Sequence, residues 1–97
     1  MREEFITAEC EFFPEGRKSL PEINGDSYRP HLLPENGAGH LGVSFYRGMG
    51  MAVRLGKPFT VAIRLAYEGV DYSPLRKKGG RFFICEGAKK VGKGRVL

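Results

Sequence analysis

The stretch Arg81-Phe82-Phe83-Ile84-Cys85-Glu86-Gly87-Ala88-Lys89-Lys90-Val91-Gly92-Lys93-Gly94-Arg95-Val96-Leu97 reads as two short strands joined by a tight turn. Arg81 to Cys85 is β-branched and aromatic, and Glu86-Gly87-Ala88 has the composition of a turn. Lys89 to Leu97 then returns, with Gly92 and Gly94 where a strand must bend or admit another backbone. Strand alternation puts Phe82 and Ile84 on one side and Phe83 and Cys85 on the other, so at least one of the two phenylalanines is expected in a core.

This hairpin also holds the charge. Arg76 to Leu97 carries eight basic side chains against Glu86 alone, whereas the other 75 residues are slightly acidic, so the net charge of +5 comes wholly from the last 22 residues. A basic balance points to a polyanion or an acidic protein surface as partner and says nothing of fold.

Working outward, Phe59 to Tyr67 is the clearest strand, with Phe59, Val61, Ile63 and Leu65 alternating against Thr60, Ala62, Arg64 and Ala66. Phe5 to Phe13 alternates likewise, Ile6, Ala8, Cys10 and Phe12 facing away from Thr7, Glu9 and Glu11. Pro14 through Asp26 is expected to be a long surface loop. Tyr28 to Leu33 resumes as a short strand in which Pro30 implies an edge or a bulge. Leu41 to Tyr46 and Met51 to Leu55 read as further strands, and Glu68 to Lys78 as a connection with a basic tip. No window keeps a 3.6-residue period over ten residues. Ninety-seven residues with 14 glycines and six prolines make one domain, residues 1–97, of short strands and turns. The pattern predicts an all-β barrel or sandwich. No apolar run approaches the ~20 residues that span a bilayer, and Met1-Arg2-Glu3-Glu4 opens no signal-peptide core. A cytoplasmic protein with no membrane partner is the expectation.

Motifs that resemble catalytic or cofactor sites fail on context. Gly87 to Lys93 fits GxxxxGK, but Gly94 stands where Mg²⁺ chemistry needs Ser or Thr, and no helix follows. Gly37 to Gly42 fits GxGxxG but leads into a strand rather than a helix. His31 and His40 lack metal-ligand spacing, and Glu68 with Asp71 reads as loop charge rather than a carboxylate pair. No enzyme, nucleotide, metal or other cofactor is therefore expected. Cys10 and Cys85 form no CxxC and sit in apolar strand patterns, which favours buried free thiols; a disulfide is the alternative if the first and last strands pair. Basic residues interleaved with Phe82, Phe83 and glycines suit a surface that tracks a nucleic-acid backbone. The same charges also suit a solvated hairpin protected from edge-to-edge aggregation.

The ending from Gly80 to Val96 resembles the closing strands of the C-terminal β-barrel domain of bacterial elongation factor Tu, a family that ends close to LRFAIREGGRTVGAGVV. Arg81-Phe82, Ile84, Glu86-Gly87, Val91-Gly92, Gly94 and Val96 carry the likeness. Ser27-Tyr28-Arg29-Pro30-His31 is similar to the family's GYRPQ, and Thr7-Ala8-Glu9-Cys10 to its first strand, so the resemblance runs over nearly the whole chain. It implies a six-stranded closed antiparallel β-barrel. In the family this domain follows a GTPase domain and a second barrel, and helps hold the T-stem backbone of aminoacyl-tRNA.

Several departures from the family pattern add positive charge, and others do not. Ala66 to Gly79 forms a longer connection with Arg76-Lys77-Lys78 where the family is acidic, and Lys93 and Arg95 replace small or apolar residues. Leu32-Leu33-Pro34-Glu35 stands in place of the family's FYFR. The expectation is a stand-alone, non-catalytic barrel that binds tRNA or other RNA through backbone phosphates. Its candidate contacts are Arg29, Arg76, Lys77, Lys78, Lys89, Lys90, Lys93 and Arg95. The alternative is a protein-interaction module that mimics the elongation-factor barrel and engages a protein of the translation machinery.

Overall fold

A computed structural model describes residues 4–15, 23–35, 39–48 and 53–97. Its elements are β1 (Phe5–Phe12), β2 (Asn24–Tyr28), β3 (His31–Pro34), β4 (Leu41–Gly42), β5 (Ser44–Gly48), β6 (Phe59–Arg64), α1 (Ser73–Arg76), β7 (Arg81–Glu86) and β8 (Lys89–Val96). One sheet holds all the strands in the order β2-β5-β6-β1-β8-β7-β3-β4, each named pair antiparallel. The two ends of that order meet through the chain itself, because β4 runs into β5 with only Val43 between them. Taking β4 and β5 as one run, the molecule is an all-β, nearly closed barrel of 7 strands.

The alternation in β1 and β6 is the reason these segments are strands. Ala8, Cys10 and Phe12 of β1 and Phe59, Val61 and Ile63 of β6 point inward and are at most 2 % exposed, as are Phe45 and Phe82. Each of the large ones contributes roughly 1.5–3 kcal/mol of burial. Phe12 stacks on Phe59 with centroids 5.5 Å apart and meets the edge of Tyr28 at 5.9 Å. Strand β8 lies between β1 and β7, and its glycines are what let it lie there. A Cβ on Gly92 would collide with the Glu11 carbonyl, and one on Gly94 would sit 2.8 Å from the Cys10 sulfur, the Glu9 carbonyl and the Phe82 ring.

Several expectations are corrected. Asn24 to Asp26, read as the end of a surface loop, belong to the strand Asn24–Tyr28 because it pairs with β5, in an irregular register that tolerates its turn-forming residues. The strand expected over Met51 to Leu55 is absent where described: Met51 and Ala52 lie outside the described residues, Val53 and Arg54 have no strand pairing, and Leu55 makes only an isolated parallel bridge to Phe12. Strand β6 ends at Arg64, though Leu65 stays buried and its N–H reaches the Glu4 carbonyl at 2.9 Å. Cys85, set on the side of Phe83 by strand alternation, is buried beside Ile84 because the register shifts between Ile84 and Cys85, and its burial agrees with the free-thiol reading. The strand expected over Tyr28 to Leu33 is instead interrupted at Arg29-Pro30, which separates β2 from β3, and the Pro30 carbonyl accepts the Val43 N–H at 3.1 Å.

The long connection after β6 closes one end of the barrel. Its single helical turn, α1, starts with Pro74 in the first turn and buries Leu75. Tyr72 is also buried; its hydroxyl donates to the Gly42 carbonyl and accepts the Tyr67 N–H at 3.2 Å. Cys10 and Cys85 are both free and buried. They lie on strands that do not pair, Cys10 opposite Gly94 and Cys85 opposite Lys90 and His31. Burial pushes both thiols up, Cys10 far more than Cys85, where Lys90 opposes the shift.

Candidate nucleic-acid interface

The β7–β8 hairpin sorts its residues by parity. Phe82 pairs with Gly94 and Ile84 with Gly92 on the inner side, while Arg81 pairs with Arg95 and Phe83 with Lys93 on the outer side. The register shift after Ile84 leaves Val91 and Gly92 buried in succession, so Lys89 and Lys90 both emerge at the hairpin tip. Lys90 reaches back over the Phe83 ring, its Nζ 4.2 Å from the centroid. At about 3.4 Å of rise per residue, Lys93 and Arg95 stand ~7 Å apart along β8. The result is an outward row of Arg81, Arg95, Lys93, Phe83 and Lys90 running the length of the hairpin.

The other candidates lie at its ends or beyond them. Lys77 and Lys78 are exposed in the loop that feeds β7 and line a cleft of about 350 Å³ with Glu35 and Arg81. Lys89 is exposed opposite Glu86 at the tip. Arg29 is exposed in the link between β2 and β3, beside the hairpin tip: its neighbour Tyr28 donates its hydroxyl to Glu86 Oε2 at 2.7 Å, and His31 pairs with Cys85. Arg76, at the end of α1, is engaged elsewhere: its Nε and Nη2 donate to the two Glu4 oxygens at 2.7 and 2.8 Å. That contact holds the Glu4 carboxyl below the usual carboxylate range and raises the Arg76 guanidinium.

What the charge count along the chain did not reveal is where the acids go. Strand β1 pairs with β8 and sets Glu9 opposite Arg95 and Glu11 opposite Lys93. Arg95 Nε lies 3.3 Å from Glu9 Oε1, both side chains about half exposed. Glu35 and Arg81 complete a shared groove of about 590 Å³ across the outer faces of β1, β8 and β7. Arg81, left out of the candidate contacts, belongs to the row through its pairing with Arg95. Its signal was present in the sequence, since it has the same parity as Phe83.

The motif readings resolve in the same way. Gly87 to Lys93 is hairpin turn and strand. Gly37 and Ala38 lie outside the described residues, and the rest of that pattern leads into β4. Asp71 accepts the Ser73 N–H at 3.0 Å, which lowers its pKa and ties it into the loop backbone rather than to Glu68. The His31 and His40 rings meet edge-on at 6.0 Å. Among the described residues no three His, Cys, Asp or Glu side chains converge to hold a metal ion, and no helix is long and apolar enough to cross a membrane. No known family model matches the chain, and no curated protein matches its sequence.

Proposed function

We propose that this protein is a non-catalytic barrel of the elongation factor Tu C-terminal type that binds RNA, tRNA first among candidates, along its sugar-phosphate backbone. The observation that carries the reading is the outward row on β7–β8, where Arg81, Lys90, Lys93 and Arg95 flank Phe83 on one face. Cations spaced along a strand neutralise successive phosphates, and an aromatic ring among them offers a stacking surface that every base can use. Lys77 and Lys78 extend the row past β7. What supports the six-strand count implied by the resemblance is the chain's own continuity. With β2 and β3 taken as one strand bent at Arg29-Pro30, and β4 and β5 as one run, the ring has six members.

Binding of fluorescein-labelled tRNA, followed by anisotropy from 50 to 300 mM NaCl, tests the reading. Affinity should fall steeply with salt, and Lys93→Ala should flatten the slope by about 0.7–0.9 in log–log terms. Binding that does not depend on salt, or no binding at 50 mM, overturns it. A second reading, a protein partner, is favoured by Glu9, Glu11 and Glu35 in the same groove as Arg81, Lys93 and Arg95. A mixed-sign face matches another protein surface better than it matches a uniform polyanion.

A further inference from the structure

The acids and bases of the groove are arranged with a symmetry of their own. On the outer face, β1 contributes Glu9 and Glu11, and the adjacent β8 contributes Arg95 and Lys93 at the same two levels. One level further on, the Leu97 N–H bonds the Thr7 carbonyl at 2.9 Å, and Leu97 is 43 % exposed. The flanking columns are β6, with Thr60 level with Glu9, and β7, with Arg81 and Phe83 level with Arg95 and Lys93. Acids stand in one column and bases in the next, in register.

A two-fold axis parallel to the strands, midway between β1 and β8, turns that arrangement onto itself. Each β1 column then faces the partner copy's β8 column without a change of level. Glu9 meets an Arg95, Glu11 meets a Lys93, and Thr7 meets a Leu97, each pair occurring twice. In the flanking columns, which curve away from the axis, Thr60 is level with an Arg81 and Pro58, which lines the same groove, with a Phe83. No facing pair has like charges. Self-complementarity of this kind is what an isologous contact requires.

We infer that the outer face of β1 and β8 is a docking surface for a second copy of this chain. The outside of a barrel is convex, so these two strands stand foremost, and the groove of about 590 Å³ along them leaves room for the long Arg, Lys and Glu side chains of the other copy. Barrel curvature carries β6 and β7 away from the axis, leaving the two central columns, ~10 Å wide at about 4.8 Å per strand, to make the contact. Their area is well below the ~800 Å² per partner of a standard interface, so the dimer is weak and electrostatic. It goes beyond the RNA reading and does not rest on it, but the two compete, since Lys93 and Arg95 serve both.

The test is sedimentation equilibrium of the nuclease-treated full chain from 20 µM to 1 mM. In 20 mM NaCl the mass should rise from 10.8 kDa toward twice that value, and in 1 M NaCl, where screening shortens to about 3 Å, it should stay monomeric. Two charge-swapped chains sharpen the result: Glu9→Lys with Glu11→Lys, and Lys93→Glu with Arg95→Glu. Each alone should remain monomeric at low salt, and an equimolar mixture should associate. Leu97→Asp, at an exposed terminal residue, should weaken self-association without touching the charge ladder. A wild-type chain that stays monomeric at 1 mM in low salt overturns the inference, as do swapped chains that each self-associate like wild type. Because RNA is absent throughout, failure here leaves the RNA reading standing, and failure of the anisotropy experiment leaves this one standing.

Discussion

Replacing Gly94 by alanine adds one methyl group at the place where β8 threads between β1 and β7. Its position is set by the backbone: 2.8 Å from the Cys10 sulfur, from the Glu9 carbonyl oxygen and from the Phe82 ring. Cys10 and Phe82 are at most 2 % exposed and packed in the core, so neither can swing away cheaply. Overpacking of this sort costs about 1–3 kcal/mol. Alanine also restricts the unfolded chain, which returns about 0.4–1 kcal/mol, leaving a net loss of up to about 2.6 kcal/mol. At 4–8 °C per kcal/mol for a domain of this size, the melting temperature should fall by up to about 20 °C. Thermal unfolding followed by circular dichroism reads this directly. Cys10→Ala in the Gly94→Ala background removes one of the three collisions and should recover part of the loss relative to Cys10→Ala alone. A Gly94→Ala protein that melts at or above the wild-type temperature would refute the claim that close strand approach, rather than bending, dictates glycine here.

Two other perturbations probe the connection after β6. Tyr72→Phe removes the hydroxyl that joins the Gly42 carbonyl and the Tyr67 N–H; a loss of about 1–3 kcal/mol is expected, with faster hydrogen exchange at the Tyr67 amide, and unchanged exchange would count against it. The Glu4 carboxyl, held low mainly by its hydrogen bond to Arg76, favours the folded chain above its unfolded pKa near 4.5. That contribution fades as pH falls through the lower folded value. Glu4→Gln should therefore remove a small part of the acid sensitivity below pH 4.5 and leave the rest of the pH–stability curve in place, as acid titration of both proteins would show.

How far the sequence could be read follows from the range of the interactions involved. Strands β1 and β6 were legible because alternation is a local signal and both bury one face. The β7–β8 hairpin was legible because a turn of Glu86-Gly87-Ala88 joins strands that pair with each other. Strand β2 was not, since Asn24-Gly25-Asp26-Ser27 has turn composition and becomes a strand only through its pairing with β5. The single turn of α1 is too short to show a period. The site divides along the same line. The basic side chains were visible as a cluster, but Glu9 is 86 positions from Arg95 and Glu4 is 72 from Arg76. Only the pairing of β1 with β8, and of the β6–β7 connection with the start of β1, places those acids against the bases. A charge count along the chain sums what the fold partly cancels.

The central claim, that the outer row of β7–β8 holds an RNA backbone, is tested most directly by titrating tRNA into ¹⁵N-labelled protein in 50 mM NaCl and following the amide shifts. The account predicts shifts concentrated at Lys77, Lys78, Arg81, Phe83, Lys90, Lys93 and Arg95, with the outer residues of β5 and β6 unmoved. Shifts centred on β5 and β6, or none at all with tRNA in excess, would contradict it.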